Sequence, residues 1–295
     1  MHPESEFESF ARLPSAVPVL VLGLLLYALL RDPARRSWLA ASAFLFAGGV
    51  ALPVAILAAL LAGTFMSPSD LRASARKPVD VEIIAHRWWW EMRYRGPGPN
   101  YLVIGATQLH LPVGREVVVA LRSFDGAHSF RVPQIAERID VVPGAEKRVV
   151  LKVQAPGRMR GECVELCGPQ HEHMILDVVA QPPEEYEAWL EAQRAPAAEP
   201  AGGPELRGRN LFMSADCELC HTVRGTPAHG RGGPDLTHLA SRSRIAGGLL
   251  ENRAGSLEAW VGGTHALKDG ARMPKPRQFK PEELRELVAY LQSLE

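Results

Sequence analysis

Two short stretches of this 295-residue chain concentrate residues able to hold metals or a cofactor. The first is residues 161–174, GECVELCGPQHEHM, with the spacing C-x3-C-x3-H-x2-M over Cys163, Cys167, His171 and Met174. Two thiols, an imidazole and a thioether are soft donors, which suit copper in electron transfer. A further strong ligand has to come from elsewhere, and His128 in FDGAHSFRVP is the candidate. A single-copper blue site needs one cysteine, whereas two in one loop allow both thiolates to bridge two copper ions. Charge is then delocalised and little geometry changes on one-electron transfer. A Cys163–Cys167 disulfide and a structural Cys2His2 zinc site compete for the same residues. Met174 counts against zinc, and Glu165 and Gln170 among the cysteines count against simple core burial.

The second stretch is Cys217-Glu218-Leu219-Cys220-His221, the C-x-x-C-H pattern of covalent c-type haem attachment. Two thiols add to the haem vinyl groups and His221 becomes the proximal ligand. A distal Met is expected well downstream, because Met/His ligation raises the potential. Met273 in ARMPKP fits, whereas Met213 is too near the attachment site and reads as packing. A zinc knuckle is the competing reading, without a second ligand pair to support it. The four cysteines of the chain therefore form two tight pairs, each followed by a histidine. An oxidised framework would scatter them.

These residues need elements to position them. From residue 79 to 180 short β-prone runs (VDVEIIA, YLVIG, TQLHLPV, EVVVALRS, KRVVLKV, HMILDVVA) alternate with Gly and Pro turns, which predicts a sandwich or barrel. The copper motif then falls between a strand ending near Lys152 and one starting near Ile175. Pro182 and Pro183 end the β segment. A short helix, EEYEAWLEAQ, leads into APAAEPAGGP, an Ala/Pro/Gly linker. After it come helical signals at residues 207–212, 256–261 and in PEELRELVAYLQSL, whose Leu284, Leu287, Val288 and Leu291 share one face.

The apolar residues concentrate at the N-terminus. Spans over about 13–30 and 39–66 are expected, the second without any charge. Arg31, Arg35 and Arg36 between them place the short loop in the cytoplasm and both chain ends outside; Arg72, Arg76 and Lys77 oppose that vote. A cleaved signal peptide is the alternative for the first span. Glu4, Glu6 and Glu8 make a poor signal n-region. The formal net charge of zero gives no reason to expect a nucleic-acid partner. The organisation expected is residues 1–70, an N-terminal segment and two-helix hairpin; 71–182, the β domain; 183–204, helix and linker; and 205–295, a small α domain.

The motif C-x-E-x-C-G-x-x-H-x-x-M resembles the CuA site of cytochrome c oxidase subunit II. The likeness runs over roughly residues 15–190 and includes SFDGAHSFRVP, RIDVVPG and the aromatic run Trp88-Trp89-Trp90. The whole chain is similar to subunits II that carry a cytochrome c domain at the C-terminus, as in caa-type oxidases. The resemblance implies an all-β cupredoxin sandwich and an all-α class I cytochrome c domain, with a binuclear copper CuA centre and one covalent haem c. His128, Cys163, Glu165 (through its carbonyl), Cys167, His171 and Met174 would hold copper. Cys217, Cys220, His221 and Met273 would hold haem. Trp88 would accept electrons from a docked cytochrome c, with ordinary packing as the alternative role for Trp89 and Trp90. The Glu165 side chain would reach a magnesium ion shared with subunit I.

Further implied are subunit I and subunit III as partners, a soluble or membrane-bound electron donor such as cytochrome c, and a place in the bacterial cytoplasmic membrane. Both redox domains would then lie on the outer, periplasmic side. Dioxygen would be reduced in subunit I, coupled to proton pumping. A copper-containing nitric oxide reductase is the alternative complex, and nothing in this chain separates the two. Many members of the family carry a Glu in the second span, seven residues before its Pro; here that position is Phe46, so no proton-uptake role falls to this span.

Overall fold

In a computed structural model the chain is described at residues 21–23, 26–27, 29–30, 42–66, 80–96, 101–200, 202–274 and 278–295. It divides into two compact units, residues 1–69 and 70–295. Most of the first expected span lies outside the described residues, as do the arginines and lysine that flank the spans. The second span is helical: α1 (Ser42–Phe46), a π turn (Ala47–Ala51) and α2 (Leu52–Met66). Pro53 brings no N–H to this helix, and Gly48 and Gly49 offer no β carbons, so the widened turn falls where backbone bonding is weakest. The stretch Ser42–Ala62 is long and apolar enough to cross a membrane. Phe46, Leu57 and Leu60 are among its exposed side chains.

The second unit begins with a ten-stranded sandwich. Its strands are β1 (Val81–His86), β2 (Trp89–Arg95), β3 (Tyr101–Ala106), β4 (Gln108–Pro112), β5 (Glu116–Ser123), β6 (His128–Val132), β7 (Ala136–Val141), β8 (Glu146–Lys152), β9 (Gly157–Cys163) and β10 (Ile175–Gln181). One sheet has the order β3-β2-β1-β5-β8, the other β4-β10-β9-β6-β7. β1 runs parallel to β5 and β10 parallel to β4, while the other pairs are antiparallel. Trp90, Met92, Leu109, Leu121, Phe130 and Leu176 fill the space between the sheets. A clean alternation would leave one face of each strand polar, but the central strand β1 is buried along nearly its whole length.

The sequence reading misses β2, β6, β7 and β9. The copper motif therefore does not follow a strand ending near Lys152: β9 intervenes, and Cys163 is its last residue. GRMRGEC combines two glycines with charged residues and lacks β-branched side chains, so its pairing with β10 and β6 overrides a weak local preference.

Helix α3 (Pro183–Ala192) starts with Pro at its first turn and carries Glu184 and Glu185 there, favourable at a helix N-terminus. It packs back on the sandwich through Tyr186 and Trp189; the Trp189 ring stacks on His110 at 3.8 Å. The following stretch is tied down. Arg224 donates to Arg194 O at 2.9 Å and also to Gln193 O, and His238 Nδ1 and Nε2 lie 2.6 and 3.0 Å from Glu295 O and Ala195 O.

The remaining helices are α4 (Gly203–Ser214), α5 (Ala254–Leu267) and α6 (Pro281–Gln292). α4 crosses α6, with Phe212 and Tyr290 edge to face at 5.7 Å. The helices approach so closely at Gly208 that a β carbon there would stand 1.9 Å from Glu286 O. Leu257 and Val261 of α5 and Leu287, Val288 and Leu291 of α6 complete a second core. Met213 packs against that core.

Candidate metal centre and haem site

β6 and β9 are neighbouring strands, with Phe130 paired to Cys163. This brings His128, at the start of β6, beside the end of β9. The Cys163 sulfur lies 3.9 Å from His128 Nδ1 and 3.8 Å from the Cys167 sulfur. Among the described residues, His128, Cys163 and Cys167 offer ligand atoms all within 4.8 Å of one another, and all three are buried. Both cysteines are free, with their sulfurs well beyond disulfide bonding distance.

The loop between β9 and β10 closes by its own hydrogen bonds. Cys167 N–H donates to Glu165 O at 2.7 Å, His171 N–H to Gly168 O at 3.1 Å, and Cys163 N–H to Met174 O at 3.0 Å. The last bond sets fully buried Met174 opposite Cys163. Glu165 O stands 3.4 Å from the Cys163 sulfur. His171 shares the loop but not the tight three-residue group; its Nδ1 is buried and has no hydrogen-bond partner. A buried ring nitrogen without a partner calls for a ligand, so the donor set fits copper.

Electrostatics already favour a thiolate. The Cys163 thiol is pushed well down, first by its hydrogen bond with Cys167 and then by His128. For the same reason Cys167 is raised: one proton serves two sulfurs. At His128, burial pulls downward, but hydrogen bonding to Asp125 and Cys163 outweighs it and the net direction is up. Asp125 Oδ1 lies 3.1 Å from His128 Nε2 and orients the ring, leaving Nδ1 toward the sulfurs. The Glu165 carboxylate is engaged by Arg138 of β7. A cation therefore already neutralises the group that the resemblance would give to magnesium.

Trp88 is buried, 6% exposed. Its indole N–H donates to Cys167 O at 3.3 Å, placing the ring directly on the copper loop. His86 lies elsewhere on this face, 2.9 Å from Glu91 and stacked on Trp89. Trp90 stands edge to face with Phe130 and takes a core role.

In the α domain, Cys217–Leu219 form a single 3-10 turn, and His221 N–H donates to Cys217 O at 3.0 Å. Neither cysteine is in a disulfide, and both are partly exposed. His221 Nδ1 donates to Pro234 O at 2.8 Å, leaving Nε2 for a ligand. Burial pushes this imidazole's pKa down, toward the neutral form that binds metal. The chain folds tightly over the ring: a β carbon at Gly233 would stand 2.6 Å from His221 Cε1. Two thiols outside any disulfide and an oriented imidazole in one turn fit covalent haem. Met273 is half-buried against α5, with its sulfur 3.7 Å from Thr264 Oγ1 and its carbonyl 2.9 Å from His265 Nε2.

The sequence reading passes over Lys268. It is 3% exposed, and burial pushes its ammonium down to about 7. No motif contains it; a lysine at the end of an amphipathic helix reads as a surface residue.

Residues 97–181 match the family described as cytochrome c oxidase subunit II, periplasmic domain, and residues 206–295 match cytochrome c. Cytochrome c oxidase subunit 2 of Alkalihalophilus pseudofirmus is 36% identical over 216 residues, covering 73% of this chain and 61% of that protein. The Bacillus subtilis protein of the same name is 27% identical over 257 residues, covering 82% and 69%. A solved periplasmic domain of subunit II of cytochrome oxidase from Bradyrhizobium japonicum is 21% identical, with TM-score 0.37, and covers 40% of this chain and 96% of that one. The chain thus spans about three fifths of the length of the Alkalihalophilus relative. Its class is a cupredoxin-like sandwich joined to a cytochrome c domain. More particularly, residues 97–181 are similar to the periplasmic domain of cytochrome c oxidase subunit II, and residues 206–295 after them to cytochrome c.

Proposed function

We propose that this chain is the electron-input subunit of a membrane haem–copper oxidase that reduces dioxygen to water and pumps protons. The convergence of His128, Cys163 and Cys167 within 4.8 Å carries the reading. When bound, a copper pair and a haem c each take up and release one electron at a time. His128, Cys163, Cys167, His171, Met174 and the Glu165 carbonyl would hold two coppers; Cys217 and Cys220 would anchor haem between His221 and Met273. Asp125 fixes the His128 ring, Pro234 O fixes His221, and Trp88 joins the copper loop to its surroundings. A magnesium ion at Glu165, shared with subunit I, would require exchange of Arg138 on assembly.

The proposed organisation is a two-helix hairpin in residues 1–70, a copper domain at 71–182, a connecting segment at 183–204 and a haem domain at 205–295. Both redox domains would face the outer side of the bacterial cytoplasmic membrane. The partners proposed are subunit I, which receives the electrons, subunit III, and a soluble or membrane-bound donor such as cytochrome c. The test is a reduced-minus-oxidised spectrum with metal analysis on the purified full chain. Two coppers, one covalent haem and no dioxygen consumption are expected. Dioxygen turnover by the chain alone, or one copper per chain, would count against the reading.

A further inference from the structure

The two redox domains meet at Trp88. Lys268, at the end of α5, sends its ammonium to three carbonyls: Trp88 O at 2.9 Å, His173 O at 3.0 Å and Ala246 O at 2.8 Å. The first two belong to the sandwich and its copper loop, the third to the haem domain. An ammonium has three donors, and here each has an acceptor. The Trp88 ring lies between backbones of both domains. A β carbon at Gly168 of the copper loop would stand 2.9 Å from Trp88 Cζ2, and one at Gly270 of the haem domain 3.3 Å from Cη2. At Gly247, a β carbon would reach to 2.1 Å from Trp88 O. Farther out, Ser243 Oγ donates to Asp177 Oδ2 at 2.6 Å, and Arg272 pairs with Asp125 at 3.3 Å.

Resting on the function proposed above, we infer that Lys268 is a positioning residue that seats the haem domain on Trp88, reserving this input surface for the chain's own haem. The choice of group supports this. A buried ammonium whose three hydrogen bonds all go to neutral carbonyls loses hydration for little return, so it is a poor device for stability alone. It does specify one arrangement: only a docked pose supplies acceptors from both domains, and any slip strands the charge. With Trp88 covered, a protein donor from outside cannot touch it and must deliver its electron at the haem domain.

The test is Lys268→Met in the purified full chain; it keeps an apolar stem and removes the charge. Amide hydrogen exchange at residues 86–90 and 246–248, read with and without metals, should rise about tenfold, as expected from loss of a charge-assisted contact. In the loaded protein, haem-to-copper electron transfer should slow by a similar factor while both absorption spectra and both potentials stay unchanged. Lys268→Gln, which retains two donors, should fall between and covers the case in which the Met variant does not accumulate. Wild-type exchange and transfer rate in either variant would overturn the inference. Failure of the wild-type chain to take up copper or haem would instead sink the function proposed above, with the exchange result still deciding the role of Lys268.

Discussion

At the scale of single residues, the copper loop is organised around a shared proton. Cys163 is held low by Cys167 and His128, so a metal arriving at this site meets a thiolate and needs to displace one remaining proton. Cys163→Ser should therefore abolish copper binding while leaving the covalent haem spectrum intact, because Cys217 and Cys220 belong to a separate core. Copper analysis beside the haem spectrum checks this; full copper content in the variant would remove Cys163 from the ligand set. Met273→Ala makes a complementary change. The thioether goes while the thioether bonds of the cysteines remain, so haem should stay attached and its midpoint potential should fall. An unaltered potential in a redox titration would assign the distal position to another residue. The ligand types and spacing are legible from the sequence because they lie in short motifs. The buried, unpartnered Nδ1 of His171 and the Arg138 hold on Glu165 are not, since both depend on how the fold closes around the loop.

At the scale of elements, two contacts should dominate stability. α3 is fixed to the sandwich by the stack of Trp189 on His110. Burial, against the hydrogen bond that His110 Nδ1–H donates to Gln181 Oε1, pushes His110 down to about 4, below its unfolded value of about 6.5. The unfolded chain therefore binds the extra proton between these values. The contribution to stability is complete above about pH 6.5 and lost as pH falls toward about 4. Urea midpoints of the full chain should drop across that window, and more steeply than those of His110→Phe. Equal slopes would show that His110 does not carry the dependence. The second contact is the α4–α6 crossing. Gly208→Ala puts a methyl against Glu286 O and should destabilise the α domain by about 1–3 kcal/mol, the usual range for overpacking, read as a lowered thermal midpoint of the haem band. The helices at both sites are legible in the sequence, α6 through its apolar periodicity and the proline that opens it. Four strands are not, because β2, β6, β7 and β9 owe their state to neighbours rather than to their own residues. An Ala/Pro/Gly segment reads as a free linker by composition, yet Arg224 and His238 secure its first residues; composition reports what a segment can bury, not what bonds to its carbonyls.

At the scale of the whole molecule, the described apolar helix is suited to a membrane and the second unit carries both candidate sites. Their joining surface has no sequence signature at all: Lys268, Gly247 and Gly270 acquire meaning only when two domains distant in the chain are placed together. The Trp88 ring, gripped between Gly168 and Gly270, has a kinetic consequence. Two partners that must find each other in solution slow down as the solvent thickens, because diffusion sets their meeting. Here the meeting has already happened. On the proposed route, glycerol should retard electron delivery by an outside protein and leave the proposed transfer across Trp88 at its original speed, so viscosity alone should separate the two halves.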